Sequence, residues 1–446
     1  MGSAEFARND SDSLIALRDN RDMNRRTFLK SSSLTTATLA AAPVLGAPIV
    51  PLGKAEHCVM LWLGGGMSQI DTFDPKLLGD AKANKSGSYY KAIDTSVPGV
   101  KICQHLPKTA KLMERVTAVR SLHHDVVDEH AAATNRMHTG RKTSGTVTYP
   151  SLGSIVAHRR GPLTEGFPAY MVLGYPNIVR GPGFLGPEAG FVYTTDLKSG
   201  PAGLARPKWL TARRVARREA LLREVRKGGT RRFSNDQTFN AYDSAVRESL
   251  RLSGPEFMKV FNLDSEPSDL RNAYGSEFGQ RCLLARRLFQ AGVRFVEISY
   301  SDNFKNGTGW DTHNEGQLNQ HLLIKDLDDA LSTLMNDLEQ NQLLKKTIII
   351  VNSEFGRPGS FDSGGGRGHH SKCFTNVIAG GGLNHSGAYG VSDKFAESIV
   401  DSPVSVPDFF ATILATLQID PNENLYDGDR PVPITDGGKP IAKLMA

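Results

Sequence analysis

Cys58-Val59-Met60-Leu61-Trp62-Leu63-Gly64-Gly65-Gly66 is the stretch on which the fold turns. A strand with one wet face alternates apolar and polar residues, whereas this run is apolar without a break and then stops at three glycines. That is the pattern of a strand buried on both faces, which opens a sheet covered by helices on each side. Thr347-Ile348-Ile349-Ile350-Val351 repeats the pattern with strongly β-branched residues. Ala169–Leu173, Arg294–Tyr300 and Asn376–Ala379 read as further strands. Between them lie helical patterns at Lys108–Val119, Ala131–Met137, Glu277–Ala291, Gln317–Leu338 and Val406–Leu417. In the fourth of these, Leu323, Leu327, Leu331, Leu334 and Leu338 form one apolar stripe at helical spacing. Alternating strands and helices predict an α/β fold, doubly wound, with a mostly parallel sheet and helices on both faces.

The chain has 446 residues, 39% of them hydrophobic, enough to bury a large core, and a formal charge of +6. The charge favours anionic partners, yet no zinc-finger, RNP or basic-region pattern accompanies it, and nucleic-acid binding is not expected. Asn24-Arg25-Arg26-Thr27-Phe28-Leu29-Lys30, followed by the weakly apolar Ser31–Leu45, reads as a twin-arginine export leader, with cleavage after Ala42 or Ala47. The apolar run is too short to span a bilayer, so a periplasmic or extracellular protein is expected and not a membrane-spanning one. Residues 1–47 are set apart as leader and N-terminal extension, and 48–446 as a single domain. An arginine-rich insertion at about 175–254 contains Arg213-Arg214-Val215-Ala216-Arg217-Arg218, read either as a solvated helix face or as a cap that attracts acidic substrates. The four cysteines (Cys58, Cys103, Cys282, Cys373) allow one or two disulfides or buried free thiols, and Cys373 is near enough to His370 to be weighed as a soft ligand.

Chemistry concentrates just past the predicted strands, where α/β proteins collect ligands. Asp311 and His313, two residues apart, project to one side of an extended segment and can chelate together. Glu354 follows a buried strand, where an isolated carboxylate is costly, so it is either paired with Arg357 or Arg367 or serves as metal ligand or general base. His369 and His370 sit in a glycine-rich loop and cannot easily both reach one ion; one ligates while the other donates a proton or orients its neighbour. Arg357 and Arg367 suit bidentate clamping of an oxyanion. His123, His124, Asp125, Asp128, Glu129 and His130 form a second polar cluster ahead of a helix. The catalytic candidates are thus His130, Glu354, Arg357 and His370. The metal candidates read from these residues are Asp311, His313, Glu354, His369 and His370, for a divalent ion, zinc first, then calcium or manganese.

Gly64–Lys76, Gly309–His313 and Ser353–Arg357, behind the twin-arginine leader, resemble the bacterial "domain of unknown function 1501" family from about residue 57 onward. That family in turn resembles a remote branch of the alkaline phosphatase and sulfatase superfamily. The resemblance implies an alkaline phosphatase-like fold with Asp311 and His313 in the place of a metal pair and His369 or His370 as a later metal histidine. It also implies that the first-strand metal aspartate is replaced from the loop by Asp71 or Asp74. Glu354 keeps a carboxylate where Phe355 has displaced the paired histidine. The slot for a nucleophile holds His130, and no Cys-x-Pro-x-Arg motif is present. The expectation is an exported metal-dependent hydrolase of phosphate or sulfate esters without a Ser or Thr intermediate, acting on an anionic small molecule or polysaccharide. The alternative is a catalytically silent relative that binds an anionic polymer or another exported protein.

Overall fold

The computed structural model describes residues 51–445, except 176, 177, 206, 208, 234 and 301–304. The leader and its cleavage sites lie outside the described residues.

Nine strands form the main sheet: β1 His57–Trp62, β2 Val116–His123, β3 Tyr170–Leu173, β4 Val192–Thr194, β5 Phe295–Ser299, β6 Thr347–Asn352, β7 Phe374–Gly380, β8 Gly387–Tyr389 and β9 Val404–Ser405. Their order is β8-β2-β7-β6-β1-β5-β3-β4, with β9 also on β2. β1 lies at the centre, parallel to β5 and β6, with Cys58 opposite Phe295 and Ile348. Among the described strands of this sheet only β7 runs antiparallel, against β2 and β6. The mostly parallel sheet follows from the unbroken apolar strands: every residue of β1, β6 and β7 is buried.

Alternate residues of β1 feed two separate cores. Val59 and Leu61 join one with the helices α5 Glu277–Gln290 and α6 Gln320–Gln340, while Cys58, Met60 and Trp62 join another with α1 His130–Thr139, α2 Leu152–Arg160 and α7 Val406–Thr416. The five leucines of the α6 stripe are all wholly buried, and each contributes about 1.5–3 kcal/mol. Helices therefore cover both faces. The remaining long helices, α3 Ala212–Arg232 and α4 Gln237–Leu252, occupy the arginine-rich insertion.

One expectation changes, and one open alternative is decided. The helix at Lys108–Val119 shrinks to Pro107–Ala110 and a 3-10 turn at Met113–Arg115, and Val116 begins β2. Val116, Thr117 and Val119 are β-branched, and pairing with Ala379, Ile378 and Asn376 of β7 prevails over the local helical pattern. All four cysteines are free and buried. The Cys373 thiol turns to the Arg120 carbonyl, 3.5 Å away, and burial pushes its pKa up to about 12, so it is no soft ligand. Among the described residues no helix is long and apolar enough to cross a membrane.

Candidate functional site

β1, β2, β5 and β6 end at the same edge of the sheet, and the segments that leave them carry the polar residues. After β1, Gly65 turns with φ of +125° and brings its backbone against Asp311; a Cβ at Gly65 would stand 2.5 Å from the Asp311 nitrogen. After β6, Glu354 enters immediately, buried at 2% exposure. The segment beyond β2 leads into α1, where Glu129 caps the helix by accepting from Ala131 and Ala132 and sets His130 at its first turn. The glycine-rich loop wraps Asp362, whose side chain accepts from Gly364, Gly366 and Asn314 at 2.8–2.9 Å. Only glycine fits at 366, since a Cβ there would meet Thr312 O at 2.3 Å. That loop carries His369 to the segment Asp311–His313.

The result is three imidazoles around one carboxylate. Asp311 oxygens lie 3.6 Å from His130 Nε2, 3.3 Å from His313 Nε2 and 3.5 Å from His369 Nε2. His313 and His369 face each other Nε2 to Nε2 at 3.0 Å, so at most one proton fits between them. Two of the rings are held from behind by a carboxylate: His130 Nδ1 lies 2.7 Å from Glu354 Oε1, and His369 Nδ1 lies 2.6 Å from Asp128 Oδ1. His130 Nε2 is buried and has no hydrogen-bond partner. Ligand atoms of His130, Asp311 and His369 all fall within 4.8 Å of one another.

Electrostatics follow from this crowding. The Asp311 and Glu354 carboxylates raise the His130 pKa to about 9, against the desolvation that lowers it. Burial works to raise Asp311, but His130, His369 and Arg357 outweigh it and hold the carboxyl well below the usual range. Burial and the Arg357 guanidinium lower His313. Phe355 packs its ring against both His130 and His369, with centroids 4.9 and 4.5 Å apart, and so forms an apolar floor.

Asp311, His313, His130, His369 and Arg357 come together, with Glu354 behind His130; Asp71 and His370 do not join them. Asp71 is buried and spends both oxygens on Arg367, at 2.7 and 3.1 Å, and also accepts from Ser68 and from the Tyr89 backbone. That ion pair locks the loops, so Asp71 is an anchor and not a ligand. His370 pairs its backbone with Gly356 and its Nε2 with the Glu397 carbonyl at 2.7 Å, which removes it from both its catalytic and its ligand role. Nor is Glu354 free to ligate: Oε1 serves His130 and the Gly65 N–H, and Oε2 lies 3.2 Å from Ser353 Oγ. Asp74, the other loop carboxylate, pairs with Lys76 at 2.9 Å and Arg120 at 3.4 Å. Arg357 and Arg367 are wholly buried. Arg357 spends its donors on Asp311 and on the carbonyls of Gly65, Gly66, Arg367 and Gly368, leaving no fork for an incoming oxyanion. Sequence reasoning did not give Asp128 a role; its position among charged neighbours ahead of α1 was visible, but its partner His369 lies 241 residues away.

The profile described as "Protein of unknown function (DUF1501)" matches residues 55–445. The chain belongs to this family. No curated protein sequence matches it. Among solved structures, this DUF1501 chain is similar to the sulfatase PsFucS1 from Pseudoalteromonas sp., at 11% identity over 88% of this chain and 72% of that one, with a TM-score of 0.38. A protein in the alkaline phosphatase superfamily from Vibrio parahaemolyticus matches at 14% identity over 89% and 72%, with a TM-score of 0.39. The alkaline phosphatase from the Antarctic bacterium TAB5 matches at 13% identity over 83% and 99%, with a TM-score of 0.35. Likeness of this degree carries no weight on chemistry, which rests on the side chains above.

Proposed function

We propose that this chain is an exported, metal-dependent hydrolase of phosphate or sulfate esters that works without a Ser or Thr nucleophile. The observation that carries this reading is the orphaned, buried His130 Nε2 turned toward Asp311 while Glu354 holds the far side of the ring. A histidine fixed at Nδ1 by a carboxylate, with Nε2 left open, is how proteins orient metal-ligating imidazoles. The fit extends to spacing. Ligands on a tetrahedral ion with bonds of about 2.0–2.1 Å stand about 3.3 Å apart; Asp311 oxygens stand 3.3–3.6 Å from the three imidazole nitrogens, and the ligand atoms of His130, Asp311 and His369 all lie within 4.8 Å of one another. His130, Asp311 and His369 would hold the ion, with His313 beside them.

When bound, a divalent ion supplies Lewis acidity toward an ester oxygen and lowers the pKa of water. The protein's own groups do the rest. Glu354 accepts a hydrogen bond from His130 Nδ1–H and so turns Nε2 inward, where an ion would take the place of its proton; Asp128 likewise holds the Nδ1 side of His369. Asp311 and His313 side chains are about 40% exposed, at 41% and 40%, so one side of the cluster is open to substrate. Ser353, the nearby hydroxyl, donates to the Leu63 carbonyl at 2.7 Å and accepts from Met67 N–H at 2.9 Å, which commits it to the strand end and not to attack.

Elemental analysis of dialysed protein, with a panel of phosphate and sulfate esters, tests the reading. Wild type is expected to keep stoichiometric metal and turn over an ester, and His130→Ala or His369→Ala to lose the metal. Residual turnover in metal-replete His130→Ala would count against attack by the imidazole itself, whereas that route predicts an acid-labile phosphoryl adduct in wild type that the variant loses together with its activity. Wild type with neither metal nor turnover refutes the hydrolase. Export rests on Arg25 and Arg26, and replacing both with lysine is expected to abolish it; an unchanged exported fraction refutes that part.

A further inference from the structure

The helix α3 contains nine basic and two acidic side chains, a surplus of seven that exceeds the +6 of the entire chain. All the chain's excess positive charge therefore sits on one surface helix. Its neighbour α4 is anchored to the body: Leu252 is buried, Ser244 donates to Glu188 at 2.6 Å, and Arg251 donates to the Phe167 carbonyl at 2.9 Å. The two helices are tied by the Arg226–Asp243 ion pair. Between them lies a cleft of about 600 Å³ whose lining includes six basic residues, Arg223, Arg226, Lys227, Arg231, Arg247 and Arg251, together with Glu219, Asp243 and Leu250. Asp243 answers Arg226 and Arg247, and Glu248 answers Arg251. Arg213, Arg214, Arg217, Arg223 and Arg231 are exposed and make no ion pair among the described residues.

From this placement we infer that the α3–α4 hairpin is a binding site for a linear anionic polysaccharide, one bearing sulfate or carboxylate groups. Guanidinium forks match the planar or tetrahedral oxyanions of such groups bidentately. The unpaired arginines occupy both the cleft and the amino-terminal turns. A ligand meeting all of them spans much of a 21-residue helix, about 30 Å, which calls for a polymer and not a single small anion. A membrane surface fits less well. A helix lying on lipid separates an apolar face from a charged one, whereas α3 carries arginine around its circumference and exposes only Leu221 and Val225 among larger apolar side chains. A duplex groove fits less well too: two helices side by side measure about 20 Å across, against a major groove about 12 Å wide. The inference stands on the hairpin alone and is independent of the metal centre.

The test uses the full mature protein, with heparin and polygalacturonate as probes, and double-stranded DNA and anionic phosphatidylserine vesicles as competitors. Binding is measured across a salt series. Wild type is expected to bind a polysaccharide in preference to DNA or vesicles, and to weaken steeply with salt. Arg213→Gln/Arg214→Gln/Arg217→Gln, and separately Arg223→Gln/Arg231→Gln, are each expected to weaken binding roughly tenfold or more, with thermal melting and metal content unchanged. Unchanged binding in both variants, salt-insensitive binding, or tighter binding to DNA or vesicles would overturn the inference. Should a variant fail to fold, the wild-type salt series and competition still decide.

Discussion

Two carboxylates in this molecule are each surrounded by histidine and arginine, and their difference separates a site from a strut. Glu297, in the middle of β5, is wholly buried and receives Arg180, the Tyr170 hydroxyl at 3.0 Å and His138 Nε2 at 3.2 Å. His138 is itself finished, with Nδ1 on the Thr134 carbonyl at 2.9 Å. Asp311 meets three imidazoles and an arginine as well, but its side chain is 41% exposed and the His130 nitrogen facing it is unpartnered. Residue composition is nearly the same in both. What differs is completeness: a closed network holds elements together, while an open one has unspent ligand atoms and a way in for a ligand.

The contrast breaks most sharply on deletion. Glu297→Ala would leave Arg180 and His138 buried without their counter-charge, and is expected to cost about 3–5 kcal/mol in urea unfolding. Asp311→Ala also takes the counter-charge from the buried Arg357, but Asp311 is half-exposed and Arg357 keeps its backbone carbonyl partners, so the loss is expected to be smaller than for Glu297→Ala, while metal retention is abolished. Equal stability losses would show that the two networks do the same job. Acid sharpens the point. Burial alone would raise Glu297, but Arg180 and His138 hold it at about 2, below its ordinary 4.5. A carboxyl depressed on folding stabilises fully above its unfolded pKa and loses that contribution as pH falls toward the folded one. The stability difference between wild type and Glu297→Gln is therefore expected to be constant above about pH 5 and to shrink between about pH 4.5 and pH 2. A difference that stays flat through this window would remove Glu297 as an ionised strut.

Next in size is Asp128, which supports the open network from behind His369. Carboxylates in that position typically tune metal affinity about 10–100-fold, and Asp128→Asn is expected to fall in this range by competition with a chelator. Because Asp128 is 84% exposed on its side chain, its loss is expected to leave the melting temperature unchanged. A change in melting with no change in metal affinity would reverse the assignment.

How much of this was legible in the sequence depends on range. Strands β1 and β6 announce themselves because burial on both faces writes itself into consecutive residues, and the α6 stripe does so by its spacing. Val116–Val119 misled because its preference is decided by β7, over 250 residues on. In the site, Asp311, His313 and His369 were readable as ligand types past strand ends, and His130 by its motif. The arginines were not. Arg367 meets Asp71 across 296 residues, and no local pattern distinguishes a wholly buried guanidinium from a surface one. Asp71, Glu354 and His370 are donor-type residues whose capacity is consumed by neighbours that only the folded loops supply.

The smallest expected effect concerns two adjacent histidines. On extended backbone, successive side chains face opposite ways, so His369 and His370 cannot share one environment. His369 turns to Asp311 and Asp128; His370 is stitched to Gly356 by backbone hydrogen bonds of 2.9 Å in both directions, and its ring ends on the Glu397 carbonyl. Removing the second imidazole forfeits a single hydrogen bond, about 0.5–1.5 kcal/mol, and the backbone bridge that positions His369 remains. His370→Ala is therefore expected to keep stoichiometric metal with an affinity within about twofold of wild type, while His369→Ala loses it. If His370→Ala empties the site and His369→Ala does not, the loop carries the opposite histidine to the ion, and the network around Asp311 is not the metal centre proposed for it.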